Sequence, residues 1–349
     1  MRSGFSRRST GSITGASLTS HGTVAGMGES GLKRAAVVYN PTRVTRSALQ
    51  PLIDRAAADA GWGETIWFET TLTVPAKVLT REAVRSGVDL VFAAGGDGTV
   101  RSVAEGIRDS GAALALLPSG TGNLLARNLK LPINNVTDAI AIAFTGRTRN
   151  IDLGIATLSR TDGSIEEHGF LVMAGMGIDA DIMANTSEAL KKTVGWLAYV
   201  DAGIRVLPDA RPFRIRYQLD GKPVHSAHVS TILFGNCGTL TGGLEMMPDA
   251  IVDDGLLDIA VLQPTGTLGW IDIWRKLRFE NGFLRRSSIG RKLISATSGS
   301  ASTISYLRSA GVTVSLDKPR HVELDGDEFG VVAGVRFAAD AGALAVRVR

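Results

Sequence analysis

The sequence predicts two folded domains in series: an α/β domain with a parallel sheet, then a mainly antiparallel β-sandwich domain. Up to about residue 150, short apolar runs alternate with helix-spaced segments, the pattern of a parallel sheet joined by right-handed crossovers. From Ile151 onward, short alternating segments, among them Phe170–Ala174, Val335–Ala338 and Leu344–Val348, replace most helices, as in antiparallel sheets. The 349 residues, at about 150 per domain, leave room for two cores. A composition of 44% hydrophobic and 21% charged residues is that of a globular protein. No internal repeat is visible.

Residues 1–33 are rich in Ser, Thr and Gly, carry Arg2, Arg7 and Arg8, and lack the apolar stretch of a secretory signal. They read as a disordered tail. Ala35–Tyr39 then forms a first strand, stopped by Asn40-Pro41. Leu49, Leu52, Ile53 and Ala56 mark a helix ending at Gly61. A strand at Thr65–Phe68 and a helix from about Pro75 to Ser86 follow. Asp89–Phe92 is the third strand, and Val100, Val103, Ala104 and Ile107 give the next helix its apolar face. Leu114–Leu117 is the fourth strand, with a helix starting near Leu124.

Between the third strand and its helix lies Gly95-Gly96-Asp97-Gly98-Thr99. Glycines let a backbone approach a ligand closely, and N–H groups freed at a helix start bind anions. The segment has neither the Gly-Lys-Ser/Thr of a P-loop nor G-x-G-x-x-G. On its own, an ordinary Gly-rich turn explains it equally well. Ligands of parallel sheets sit beyond the carboxyl ends of the strands. Asn40, Gly95–Thr99 and Gly120–Asn123 are three polar loops at that edge.

The Gly-Gly-Asp-Gly-Thr motif resembles those of diacylglycerol- and sphingosine-type lipid kinases, NAD kinases and phosphofructokinases, which narrows the chemistry to phosphoryl transfer. Asn40-Pro41, Gly95–Thr99, Pro118-Ser119-Gly120-Thr121-Gly122-Asn123-Leu124-Leu125-Ala126-Arg127-Asn128 and Asn150–Gly154 together resemble the bacterial diacylglycerol-kinase-like lipid kinases. The resemblance implies a nucleotide-binding domain over 34–150 and a lipid-substrate domain over 151–349. It implies that Asn40, Gly95, Gly96, Asp97, Gly98, Thr99, Gly120, Thr121 and Asn123 line ATP. Many members carry Asp where this chain has Leu124, within an acidic, water-linked network that includes Asp97 and Asp152.

Two acidic clusters stand out in the second half. Pro248–Asp258 holds Asp249, Asp253, Asp254 and Asp258 around Gly255. Composition favours a solvated turn, whereas the resemblance implies a structural Mg²⁺ on Asp254 and the carbonyls of Ile251 and Leu256. Val322–Phe329 contains Asp325-Gly326, first of all a hairpin turn; Asp220-Gly221 is the same dipeptide read as a turn only. The further acids Asp327 and Glu328 set Asp325 apart. The resemblance implies that Asp325 is the general base, with Asp97 as rival. It places Asp327 where the family's motif ends in Glu.

Net charge is +4 and pI about 9.3, compatible with nucleotides or membrane surfaces; no nucleic-acid motif accompanies it. Cys237 is the one cysteine, so no intrachain disulfide forms and a reducing compartment is expected. No run reaches the ~20 apolar residues of a membrane helix, so contact with a membrane is expected to be peripheral. Trp270, Ile273, Trp274 and Leu277 form a helical stripe flanked by Arg275, Lys276, Arg278, Arg285, Arg286, Arg291 and Lys292, read as core, with an interfacial helix on anionic lipid as the alternative. The histidines show no metal-ligand spacing. The reading is an ATP- and Mg²⁺-dependent lipid kinase of the cytoplasm or the inner membrane face. Diacylglycerol is the first acceptor, with sphingoid base, ceramide and phosphatidylglycerol open, and a homodimer is expected from the resemblance. NAD kinase and a silent nucleotide- or lipid-binding module are the rivals.

Overall fold

The computed structural model describes residues 31–177, 212–264, 269, 272, 273, 275–277 and 303–349. The first half is an open parallel sheet. Strands β1 (Ala35–Tyr39), β2 (Ile66–Glu69), β3 (Leu90–Gly95) and β4 (Ala113–Pro118) lie in the order β2-β1-β3-β4, all parallel. Burial on both faces explains why β1 and β3 are continuous apolar runs. Helices α1 (Arg46–Asp59), α2 (Ala76–Arg85), α3 (Asp97–Ile107) and α4 (Leu124–Asn128) match the expected elements. Helix α5 (Val136–Thr145) was not expected. Asn135 caps it by accepting the Asp138 N–H at 3.1 Å, and Ala139, Ile140, Ala143 and Phe144 are buried under the sheet.

The second half is antiparallel and sandwich-like. It comprises β5 (Arg147–Ser159), β6 (Ile165–Phe170), β7 (Met173–Met176), β8 (Phe213–Leu219), β9 (Val224–Val229), β10 (Thr231–Gly235), β11 (Leu257–Leu262), β12 (Ile304–Ser309), β13 (Gly311–Leu324) and β14 (Asp327–Val348). Two expected strands, Val335–Ala338 and Leu344–Val348, are one long strand, β14, with a register shift between Asp340 and Leu344. Its far end returns to the parallel sheet, where Val346 pairs with Leu114 of β4. An expected strand at Phe170–Ala174 is instead interrupted: β6 ends at Phe170 and β7 begins at Met173. The intervening N–H groups serve the candidate site.

One apolar core lies between β1, β3, β4 and helices α1 and α5, around Ile53, Phe92 and Phe144. A second fills the sandwich, where Phe234 and Phe337 stack with centroids 4.0 Å apart. A third covers the opposite face of the parallel sheet and continues from Val103, Leu116 and Leu124 to Leu233, Met246 and Leu262. That shared core joins the two halves. Ile273 and Leu277 are buried within it, as the core reading of their stripe requires. Trp270, Trp274 and the basic residues from Arg278 to Lys292 lie outside the described residues, as do 1–30.

Candidate active site

At the carboxyl edge of the parallel sheet, the three expected loops converge. The Asn40 N–H donates to the Ala94 carbonyl at 3.0 Å and the Ser119 N–H to the Gly95 carbonyl at 3.1 Å. Asn40 Oδ1 accepts the Thr42 N–H and hydroxyl at 3.0 and 2.7 Å, turning the chain away from β1. Thr70 and Thr71, following β2, share the same edge; the strand order of a parallel sheet was the signal for them. The glycine loops pack backbone to backbone. A methyl group on Gly120 would stand 2.7 Å from the Gly96 Cα, and one on Gly95 2.5 Å from the Thr99 hydroxyl. Both positions therefore require glycine.

Asp97 is the first residue of α3 and also caps α4. Its Oδ2 accepts the Asn123 N–H at 2.9 Å and its Oδ1 the Leu124 N–H at 2.6 Å. Asn123 takes a left-handed conformation, φ 48°. Its side chain closes the loop by accepting the Gly120 N–H at 3.0 Å and donating to the Gly120 carbonyl at 2.8 Å. Thr121 is exposed at the loop tip. Burial raises the Asp97 pKa, against the pull of these N–H groups. Asp152 reaches different partners, the N–H groups of Gly255 and Gly342, each at 2.7 Å.

From the second half, the β13–β14 hairpin meets α3. Asp325 and Gly326 both have positive φ, 50° and 89°, the requirement of a tight hairpin turn. The same dipeptide at Asp220-Gly221 makes the β8–β9 turn, and Asp220 pairs with both Arg336 nitrogens at 2.9 Å. Asp325 points inward. Its Oδ2 accepts the Leu171 N–H at 2.8 Å, and its Oδ1 accepts those of Val172 and Met173 at 2.8 and 3.0 Å. That is the break between β6 and β7. Burial raises the Asp325 pKa, opposed by the Arg101 charge and the three N–H groups.

Asp327 differs on every count. Its side chain is 56% exposed, and a methyl on Gly98 would meet its Oδ2 at 2.8 Å. The hairpin thus brings a solvent-facing carboxylate against the glycine loop. Asp325, the expected base, has both oxygens engaged and buried, whereas Asp327 is the more exposed carboxylate beside the glycine loop. Arg101, which sequence reasoning passed over, holds Asp327 Oδ2 at 2.7 Å and the Leu324 carbonyl at 2.6 Å. Nothing local singled it out, since α3 also carries the charged residues Asp97 and Glu105. Asn128 also joins the halves, donating to the Thr239 carbonyl at 2.8 Å and accepting its N–H at 3.2 Å.

The Asp254 loop has other company. Asp254 Oδ2 pairs with Arg308 Nη2 at 2.6 Å, and its Oδ1 accepts the Leu256 N–H at 3.1 Å. Arg308 also reaches Asp258 Oδ1 at 3.1 Å and the Asp249 carbonyl at 3.3 Å. Ile251 is half exposed. Among the described residues, no group of three or more His, Cys, Asp or Glu side chains is arranged to hold a metal ion. Both oxygens of the expected ligand are taken, and a guanidinium supplies the positive charge. Arg308 thus occupies the Asp254 carboxylate that the expected Mg²⁺ would use, and no step is routed through the loop. Cys237 is buried, which pushes its thiol pKa up.

Residues 34–156 match the diacylglycerol kinase catalytic domain, and 171–348 match the YegS C-terminal NAD kinase beta sandwich-like domain. A diacylglycerol kinase of Bacillus subtilis is 27% identical over 87% of this chain and 92% of its own length. One of Staphylococcus epidermidis is 30% identical over 66% of this chain and 71% of its own. In fold, the chain resembles the crystal structure of a putative diacylglycerol kinase from Bacillus anthracis. That likeness has a TM-score of 0.69 at 21% identity, over 93% of this chain and 98% of the other. With both modules in order and such relatives, the chain belongs to the diacylglycerol kinase-type family of ATP-dependent lipid kinases.

Proposed function

We propose that the protein transfers the γ-phosphoryl group of ATP to the hydroxyl of a membrane lipid, with diacylglycerol as first acceptor, and that Asp327 receives the proton. What carries the reading is the exposed Asp327 carboxylate lying against Gly98 of the glycine loop. The acceptor oxygen forms a bond to the γ-phosphorus while the bond to the β–γ bridging oxygen breaks. ADP leaves with that electron pair, and the hydroxyl proton passes to Asp327. Asn40, the Gly95–Thr99 segment, Gly120, Thr121 and Asn123 hold the nucleotide. Mg²⁺ entering with ATP neutralises phosphate charge. Asp97 keeps the second glycine loop in shape, and Asp325 holds the hairpin that presents Asp327.

Diacylglycerol comes first because the relatives bear that name. A lipid acceptor requires the enzyme to meet a membrane surface from the cytoplasmic side, and no helix among the described residues is long and apolar enough to cross one. The test incubates the protein with labelled ATP, Mg²⁺, NAD and micelles of diacylglycerol, sphingoid base, ceramide or phosphatidylglycerol, beside Asp327→Asn and, as a turn control, Asp220→Asn. Label on diacylglycerol that Asp327→Asn loses and Asp220→Asn keeps is the expected result. Label on NAD alone makes it an NAD kinase, and ATP binding without transfer makes it a silent module.

A further inference from the structure

Thr231 opens β10 and is only 2% exposed, yet its hydroxyl has no hydrogen-bond partner among the described residues. Buried polar groups are paired almost throughout folded proteins, and one left unpaired costs stability. Valine has nearly the same shape and would fill this place without that cost. The surroundings of Thr231 point to a ligand as the partner. Leu233 of β10 pairs with Gly175 of β7, and Gly175 with Glu323 of β13. Side chains two apart on a strand share a face, so Thr231 lies on the face of Leu233, and His321 on that of Glu323.

The residues between them, Ile232, Met176 and Val322, turn the other way into the sandwich core. Leu233 belongs to the core shared by the two halves. Glycine in the middle strand leaves a trough on that side, and Thr231, Leu233, His321 and Glu323 line a shallow pocket over Gly175 and Gly177. One wall is aliphatic with a single hydroxyl. The other is ionisable, and His321 there pairs with Glu328. The trough abuts the hairpin turn of the active site. Asp325 follows Glu323 by two residues, about 7 Å along the strand, and its N–H donates to the Met173 carbonyl of β7 at 2.8 Å.

We propose that this trough receives the head end of the acceptor lipid, and that the Thr231 hydroxyl donates a hydrogen bond to an acyl carbonyl of that lipid. A pocket that is mostly apolar with a few placed polar groups orients its ligand through those groups. The preferred acceptors are then acyl lipids, in which a carbonyl lies a few bonds from the hydroxyl to be phosphorylated. Lipids without a carbonyl, such as ether-linked glycerols and sphingoid bases, are disfavoured. Thr231 is thus a specificity-determining residue. The proposal builds on the lipid-kinase reading, and does not depend on which carboxylate takes the proton.

The experiment compares the wild type, Thr231→Val and Thr231→Ser on micelles of diacylglycerol and of dialkylglycerol, its ether analogue of equal chain length. It measures kcat/KM for each lipid, KM for ATP and the melting temperature. It also follows amide exchange of residues 231–235 with each lipid in the absence of ATP. Thr231→Val is expected to lose about 3- to 10-fold in kcat/KM on diacylglycerol, the scale of one neutral hydrogen bond, and nothing on dialkylglycerol. KM for ATP and the melting temperature should hold, and Thr231→Ser should recover most of the loss. The wild type should favour diacylglycerol over dialkylglycerol by the factor that Thr231→Val loses. A wild type that uses both lipids equally, or a Thr231→Val that loses on neither, overturns the proposal. Equal loss on both lipids with a lower melting temperature assigns the hydroxyl to the fold and overturns it too. If the wild type labels no lipid, the kinase reading falls and amide exchange decides. Protection that diacylglycerol alone gives and Thr231→Val loses keeps the lipid site; protection by neither lipid, or by both alike, removes it.

Discussion

Gly96 and Gly120 meet through their backbones, and a methyl group on Gly120 would stand 2.7 Å from the Gly96 Cα. Two loops about 24 residues apart in sequence thereby form one amide-lined surface, and neither can gain a side chain without moving the other. Gly98 contrasts with this, because the atom in its way is the end of the Asp327 side chain.

Gly120→Ala is therefore expected to destabilise by about 1–3 kcal/mol, the usual scale of overpacking, and to weaken ATP binding. Gly98→Ala should fold nearly as well as the wild type, because a side-chain tip moves more cheaply than backbone, but should lose kcat as Asp327 is displaced. Melting curves with and without ATP, set beside initial rates, separate the two.

Asp327 and Asp325 should fail differently. Asp327→Asn removes the proposed proton acceptor and is expected to lower kcat by roughly 10²–10⁴-fold, with a smaller loss of stability than Asp325→Ala, because the amide oxygen of Asn can still accept from Arg101. Asp325→Ala strips the acceptor from three buried N–H groups, each costing about 1–3 kcal/mol when left unpaired. It should lose stability first and activity as a consequence. Urea unfolding and steady-state kinetics on both variants check this; a stable, inactive Asp325→Ala would return the base assignment to Asp325.

The Asp254 loop predicts insensitivity to chelators. With Arg308 pairing Asp254 and Asp258, the nucleotide-free protein should melt at the same temperature with EDTA or with Mg²⁺. Arg308→Ala should lower that temperature by exposing carboxylates to one another. A fall on EDTA alone would restore a structural metal to this loop.

Stability should depend on pH through Asp97 and Asp325. Burial raises both pKa values in the folded state, so over that range the folded protein binds more protons than the unfolded chain. Stability contributed by these groups is then greatest near or below the ordinary carboxylate pKa of 3.8. It falls as pH rises toward the raised folded values and levels off above them. Denaturant unfolding between pH 4 and 7 should show a shallower fall for Asp97→Asn than for the wild type.

Much of this was legible in the chain. Ala35–Tyr39 and the third and fourth strands announce themselves because buried parallel strands must be apolar along their whole length. Gly95–Thr99 and Gly120–Asn123 stood out because close backbone approach excludes other residues. Asp325-Gly326 was legible as a turn for the same steric reason, and its resemblance to a known motif pointed to Asp325 as the base. What the turn does with each carboxylate was not: two acids one residue apart on a hairpin look alike in sequence, yet one is buried under three amides and the other is exposed beside the glycine loop.

By itself, the sequence determined the two-part architecture and the glycine-rich loops, since periodicity and glycine placement are local properties, while the kinase chemistry came from the resemblance of its motifs to lipid kinases. Only the tertiary structure decided that Asp327 rather than Asp325 meets the glycine loop, that Arg101 links them, and that Arg308 stands where a metal was expected. Those relationships join residues separated by 54 positions, as with Arg308 and Asp254, or by 226, as with Arg101 and Asp327. Burial and charge pairing across such separations arise only once the chain has packed.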